Sequence, residues 1–250
     1  MRYYVTADVH GYFDQLQAAL TARGFFDDPQ PHKLIVCGDL YDRGGQAMQL
    51  QKFILELLEK DQVILIRGNH EDLALQLLHQ WHRGSYLQPH HHSNGTVDTL
   101  LQLTGTQERE LYTHTEEICR SFLRAPYIQT LIPATVDYFE TKNYIFTHGA
   151  IDGTCQNWYF PKKDAYGRFM DWDACMWDDG SFFGSEIINT DKTVVIGHFG
   201  TQHLRKMYGI QDSDDPYGIL YREDGKVIAI DATTALSHRV NVLVVEDEFI

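Results

Sequence analysis

Gly38-Asp39-Leu40-Tyr41-Asp42-Arg43-Gly44 follows directly on the apolar run Leu34-Ile35-Val36-Cys37. An apolar run of this length bounded by glycine reads as a buried strand, so two carboxylates and a guanidinium are delivered into the loop at its C-terminal end. Residue type suggests the division of labour there. A carboxylate such as Asp39 suits a hard cation, Asp42 can orient a neighbouring acid or base, and Arg43 offers a planar fork for a pair of anionic oxygens.

The same arrangement recurs along the chain. Arg2 to Ala7 is a predicted strand ending in Asp8-Val9-His10-Gly11, Val63-Ile64-Leu65-Ile66 empties into Gly68-Asn69-His70-Glu71, Tyr144 to Thr147 ends at His148-Gly149, and Thr193 to Ile196 ends at Gly197-His198. One histidine after a strand is usually a hydrogen-bonded structural residue; five strand ends that all carry polar chemistry are a constellation. Three of these strands are each followed by a helical pattern, Phe13-Leu16-Leu20, Met48 to Leu58 and Leu73 to Leu78. A mostly parallel α/β sheet is expected, with its loops gathered where such sheets bind ligands.

The rest of the chain adds organisation. Residues 79 to 126 turn polar and helical, an expected insertion in which His90-His91-His92-Ser93-Asn94-Gly95 reads as a loop and Leu111, Ile118, Cys119 and Phe122 share a face. Thr135 to Phe139 and Tyr144 to Thr147 read as two strands turning at Lys142-Asn143. A hairpin joins Gly218–Arg222 to Val227–Ile230 through Asp224-Gly225, and Val240 to Val245 is a last strand. Residues 152 to 188, rich in aromatics, have no clear period. With no linker or repeat, one domain over residues 1–250 is expected.

Composition excludes several classes. The formal charge of -14 lacks the clustered Lys and Arg that draw affinity from a phosphate backbone, so no nucleic-acid partner is expected. No apolar run reaches the length of a membrane span, and Tyr3-Tyr4-Val5 leaves no room for a signal peptide. The four cysteines, Cys37, Cys119, Cys155 and Cys175, form no C-x-x-C pair, which fits free thiols in a reducing compartment. A cytoplasmic protein with no membrane partner is the expectation.

Asp8, His10, Asp39, Asn69, His148 and His198 are hard or borderline donors, suited to divalent manganese, iron or zinc. Two ions fit this set better than one if Asp39 bridges them. Two carboxylates against four positive charges leave about +2, which suits a phosphate. His70, beside Asn69, is placed to protonate a leaving oxygen, Asp42 to orient it, and Arg43 to grip phosphate bidentately.

Asp8-Val9-His10-Gly11, the heptad from Gly38 to Gly44, Gly68-Asn69-His70-Glu71, His148-Gly149 and Gly197-His198 together resemble the signature of the phosphoprotein phosphatase (PPP) family within the calcineurin-like metallophosphoesterases. The resemblance implies a β-sandwich flanked by helices, with a dinuclear metal site at the strands' C-terminal ends. It also implies phosphoester hydrolysis by a metal-bound hydroxide, with no covalent phosphoenzyme. It assigns Asp8, His10 and Asp39 to one ion and Asp39, Asn69, His148 and His198 to the other. His70 with Asp42 corresponds to the acid pair, and Arg43 and Asn69 to the phosphate contacts. Two divalent ions are expected, manganese first, with iron or zinc as alternatives.

Asn94-Gly95-Thr96 with Thr99-Leu100 resembles the bacterial branch, which includes small serine/threonine protein phosphatases and symmetrical diadenosine tetraphosphate hydrolases. A phosphoserine/phosphothreonine protein phosphatase is the expected activity; the tetraphosphate hydrolase and a non-catalytic phosphate-binding module are the alternatives. The partner is accordingly a phosphoprotein or a small phosphorylated substrate. Two positions depart from the pattern. Ala150 replaces a second glycine after His148-Gly149, and Arg168, the only arginine between Ala150 and Ile196, is the candidate second phosphate contact.

Overall fold

A computed structural model of the chain describes residues 1–83, 87–153, 162–163, 169–170, 172–211 and 214–249. Strand and helix alternate at the start: β1 (Arg2–Thr6), α1 (Phe13–Ala22), β2 (His32–Cys37), α2 (Ala47–Glu59), β3 (Val63–Ile66) and α3 (Asn69–His82). Three helices follow, α4 (Pro89–Ser93), α5 (Thr96–Thr104) and α6 (Thr115–Leu123). The strands then resume with β4 (Thr135–Val136), β5 (Tyr138–Glu140) and β6 (Tyr144–Thr147). Short pieces β7 (Lys162–Lys163), β8 (Phe169–Met170), α7 (Trp172–Met176) and α8 (Ser181–Gly184) lead to β9 (Thr193–Ile196) and α9 (Thr201–Tyr208). The order closes with β10 (Leu220–Tyr221), β11 (Val227–Ala229), α10 (Thr234–Ser237) and β12 (Leu243–Glu246).

Two five-stranded sheets carry the architecture, one ordered β12-β1-β2-β3-β4 and the other β10-β11-β9-β6-β5. β1, β2, β3 and β4 run parallel, as do β11, β9 and β6, while β12, β10 and β5 add antiparallel edges. The two-residue side-chain period of a strand explains how the sheets stack. Tyr3, Val5, Ile35 and Cys37 from one sheet share a buried core with Phe146, Val195 and Ile228 from the other. Their neighbours Tyr4, Leu34, Val36 and Leu65 point the opposite way, into a core with Leu16 and Leu20 of α1, Leu50 and Ile54 of α2 and Leu77 of α3. Ile145, Val194 and Ile196 likewise turn outward to meet Leu204 of α9. Helices therefore cover both outer faces, and the central strands read as continuous apolar runs because both of their faces are buried.

Several expectations need correcting. The stretch Thr135 to Phe139 is not one strand: Thr135 and Val136 pair with β3 in the first sheet, and Tyr138 to Glu140 pair with β6 in the second. The chain crosses between sheets at Asp137, a step that strand propensity does not register. His90 to His92 lie in α4 rather than in a loop, with Pro89 opening the helix; Pro at the first helical position costs no hydrogen bond. His91 is fully buried, and its Nε2 lies 3.2 Å from Gln80 Oε1. α3 begins at Asn69, four residues earlier than expected, so Asn69 and His70 sit on a helix's first turn. Residues 152 to 188 contain α7 and α8, while Trp158, Tyr159 and Phe160 lie outside the described residues.

Leu50 is fully buried between α2 and the first sheet, whereas Met48, on the same helix, is 51% exposed. Leu50→Ala is expected to lower the unfolding free energy by about 2–5 kcal/mol in urea titrations. Met48→Ala is expected to change it by less than about 0.5 kcal/mol. Equal effects would contradict the packing described.

Candidate metal and phosphate site

The sequence-predicted donors converge because they leave their strands at matching heights. Asp8 is two residues past β1, Asp39 two past β2 and His198 two past β9, while His148 directly follows β6. The turn is sharp at each: Asp8, His10, Asp39, Asp42, Arg43 and His198 all have φ between 50° and 74°. Left-handed backbone is disfavoured for residues with a Cβ, and such conformations gather at functional sites where surrounding structure holds them. Gly38 has φ +80°, and a Cβ there would fall 2.3 Å from His148 Nδ1. Glycine is needed at that position for both conformation and space.

Asp39 stands at the centre. Its Oδ2 lies 3.7 Å from His10 Nε2 and 3.7 Å from His70 Nε2, and its Oδ1 lies 3.4 Å from His148 Nε2. Two groups of donor atoms converge closely enough to hold an ion, His10 with Asp39 and His70, and Asp39 with His148 and His198. Asp39 belongs to both. Asn69 Oδ1 joins the second, 2.9 Å from His148 Nε2 and 3.0 Å from His198 Nδ1. Asp8 flanks the first, with Oδ1 3.9 Å from His10 Nε2 and Oδ2 accepting the His198 N–H at 2.9 Å.

The protonation states fit a cation. Burial, reinforced by His70, lowers the pKa of His10 to about 3, and burial with His148 lowers that of His198 to about 4. Both imidazoles are therefore neutral and have a lone pair to offer. Burial works against the charge on Asp39, but the neighbouring His148 and then His70 lower its pKa. Asp8 is pushed the other way, by burial first and then by the Asp231 and Asp39 carboxylates. Buried carboxylates crowded beside neutral imidazoles form a site that a divalent cation satisfies. His10 and His148 turn Nε2 toward Asp39 and are anchored through the other nitrogen: His10 Nδ1 lies 2.8 Å from Tyr41 O and His148 Nδ1 2.7 Å from Cys37 O. Such anchoring sets ring orientation and tautomer.

His70 is arranged differently. Its Nδ1 lies 2.8 Å from Asp42 Oδ2, and its Nε2 lies 3.4 Å from Arg43 Nη2. Burial opposes charge on the ring, yet Asp39 and the bonded Asp42 raise its pKa. His70 thus holds a proton more readily than His10 or His198. The candidate second phosphate contact, Arg168, lies outside the described residues.

Glu71, Thr96, Thr99 and Asp231 emerge as site residues to which the motifs give no role. Glu71 is fully buried and accepts three backbone N–H groups, from Gly68 at 2.8 Å, Asp39 at 3.0 Å and Leu40 at 3.1 Å. Burial and Asp39 raise its pKa to about 7, while those donors work to lower it. Asp231 is buried, two residues past β11, and its Oδ1 accepts the Thr233 N–H at 2.6 Å. The rule that exposes Asp8, Asp39 and His198 also finds Asp231 when the end of the predicted strand at Ile230 is read in the same way.

Donor groups of this kind at the strand ends of a helix-flanked two-sheet sandwich define a metallophosphoesterase. The chain belongs to the calcineurin-like phosphoesterase family, whose model matches residues 1–230. Among curated relatives it is similar to a symmetrical bis(5'-nucleosyl)-tetraphosphatase of Psychromonas ingrahamii, 38% identical over 80 residues, covering 32% of this chain and 27% of the relative. It is also similar to serine/threonine-protein phosphatase 1 of Salmonella typhimurium, 39% identical over 72 residues, covering 29% of this chain and 31% of the relative. The matched stretches span about half or less of the length of such relatives. A cold-active protein tyrosine phosphatase of a psychrophilic Shewanella shares the fold, with a TM-score of 0.56 and 18% identity over 98% of this chain and 75% of that one. No helix among the described residues is long and apolar enough to cross a membrane.

Glu71→Gln replaces one acceptor oxygen with an NH2 group and leaves at least one of the three N–H donors facing another donor. A loss of about 1–3 kcal/mol in folding stability is expected, read by thermal unfolding. An unchanged midpoint would show that Glu71 does not tie these loops.

Proposed function

We propose that this metallophosphoesterase hydrolyses phosphomonoesters, with phosphoserine and phosphothreonine in proteins as the substrate class. The observation that carries the reading is the His70–Asp42 pair. Its 2.8 Å contact lies beside the donor groups, and an alkoxide leaving from phosphoserine requires a proton that an anhydride's phosphate leaving group needs far less. A binding module without turnover would have no use for such a pair.

Two divalent ions, manganese first, would lie between Asp8, His10 and Asp39 and between Asp39, Asn69, His148 and His198. When bound, they supply an activated water and neutralise charge on the phosphoryl group. The chain's own residues do the rest. Arg43, exposed at the rim, grips non-bridging phosphate oxygens and fixes the group's orientation. Asn69 adds its amide N–H to the same oxygens. Asp42 holds the Nδ1–H of His70 and so directs Nε2 toward the substrate. His70 gives its Nε2 proton to the leaving oxygen as the ester bond breaks. His70 also falls in a donor group with His10 and Asp39, but Asp39 and the Asp42 carboxylate bonded to Nδ1 favour a protonated ring over a bare lone pair.

Similarity to a tetraphosphatase favours a second reading, in which the same residues cleave a dinucleoside tetraphosphate. A side-by-side assay with manganese on a phosphopeptide, an aryl phosphate and diadenosine tetraphosphate separates the two. Turnover of the phosphopeptide is expected, and turnover of the tetraphosphate alone would overturn the first reading. His70→Asn should cost about 10²–10⁴-fold on the phosphopeptide and much less on the anhydride. Asp39→Asn should strip bound metal, measured by elemental analysis after dialysis, and a metal content equal to that of the parent chain would contradict the bridging role.

A further inference from the structure

We propose that Thr96 and Thr99, on the first turn of α5, are positioning residues for phosphoester cleavage. Their hydroxyls fix the Asp42 carboxylate so that His70 presents its Nε2 proton to the leaving oxygen, an inference that rests on the acid role proposed for His70.

Thr96 Oγ1 donates to Asp42 Oδ2 at 2.8 Å and Thr99 Oγ1 donates to Asp42 Oδ1 at 2.8 Å. Thr99 Oγ1 in turn accepts the Asp42 backbone N–H at 3.0 Å. Asp42 and both threonines are buried. The last torsion of an aspartate is soft, so a single partner such as His70 leaves the carboxylate plane free to rotate. A hydroxyl on each oxygen removes that freedom, and Oδ2 is held where His70 Nδ1 meets it.

The support is extrinsic to the loop it serves. Asp42 and Arg43 have φ of 74° and 69°, conformations that local sequence does not favour. α5 supplies what the loop lacks through residues spaced three apart on one face. Thr96 and Thr99 hold Asp42, and Gln102 donates its Nε2–H to Gly44 O at 3.0 Å while its Oε1 accepts the Ala47 N–H at 2.9 Å. Gly95, directly before α5, is seated so closely that a Cβ would lie 2.4 Å from Arg43 N. One face of α5 is thus hydrogen-bonded along the loop from Asp42 to Ala47.

Both hydroxyls donate to Asp42, so its carboxylate stays an acceptor, and its oxygens keep a lone pair for the Nδ1–H of His70. In the cleavage step the water oxygen forms the new bond to phosphorus, keeps one proton and releases the other to solvent. The leaving oxygen departs with the bonding pair and takes the Nε2 proton of His70. Displacing Asp42 would turn the ring and move Nε2 off that oxygen, a loss that grows with the basicity of the leaving group.

Thr96 is the cleaner residue to change, because Thr99 also serves a backbone N–H. Thr96→Val keeps the shape and removes the donor; Thr96→Ser keeps the donor. Manganese-loaded full chain is assayed on phenyl phosphate, a poor leaving group, and on 2,4-dinitrophenyl phosphate, a good one. T96V is expected to lower kcat about tenfold on the first and less than about threefold on the second, with KM within about twofold, and T96S should recover most of the loss. Asp42→Asn should show the same selectivity, and adding T96V to D42N should cost nothing further.

Equal losses of T96V on both esters, or losses that add to those of D42N, would overturn the proposal. If D42N itself lowers both esters equally, the acid role of His70 fails. The D42N/T96V pair then decides the threonine alone: a silent T96V keeps Thr96 acting through Asp42, and an additive one overturns it. Should T96V not fold, T96A carries the same comparisons.

Discussion

Asp39 holds a backbone conformation that it could not keep unaided, and the rest of the site follows from how that conformation is secured. Its φ is 56°. Its N–H is taken by Glu71 Oε2 at 3.0 Å and its carbonyl by the His10 N–H at 3.0 Å. Asp8 N–H to Gly38 O at 3.2 Å and Gly11 N–H to Leu40 O at 2.7 Å continue the pattern. The loops after β1 and β2 therefore remain laced together beyond the last rung of the sheet. Left-handed turns cost free energy in isolated chain, and here the lacing offsets that cost and converts a flexible strand end into a rigid platform.

Electrostatics explains why such a platform is worth holding. Asp8, Asp39, Asp42, Glu71 and Asp231 are all buried, and Arg43 is the basic side chain beside them. Burying carboxylates without partners is strongly unfavourable. Four of them are managed in three ways. Asp42 and Glu71 are saturated with hydrogen-bond donors, Asp39 is ringed by imidazoles, and Asp8 is pushed toward its protonated form. A divalent ion between these groups would satisfy the donors that remain, so affinity for cations is built into the same burial that stabilises the fold.

Much of this is legible in the order of residue types along the chain. The strands β2, β3 and β9 follow the apolar runs ending at Cys37, Ile66 and Ile196 to within two residues, because strands buried on both faces leave an uninterrupted signal. The helices are legible as stripes, α2 nearly to its ends, and α3 with its apolar stripe starting four residues after the helix itself. That offset hides the placement of Asn69 and His70 on a helical turn, where Glu71 can reach back to Gly68. His91 and the split at Asp137 leave no local signal for a related reason: burial of one histidine, and the step of a short strand from one sheet to another, are set by neighbours that lie far away in sequence.

The sequence by itself singled out the polar residues at the strand ends, since they carry their chemistry in their types: Asp8, His10, Asp39, Asn69, His148 and His198 as donors suited to a cation, with His70 and Arg43 beside them. Tertiary structure alone decided which of them meet, and through what. Asp39 lies between two donor groups because β2 runs beside β1 in one sheet while β6 and β9 bring His148 and His198 from the other. Thr96 and Thr99 reach Asp42 across more than fifty residues of chain because α5 packs onto its loop. Local propensity encodes turns and faces, whereas contacts of long sequence separation form only when two apolar faces are buried against each other.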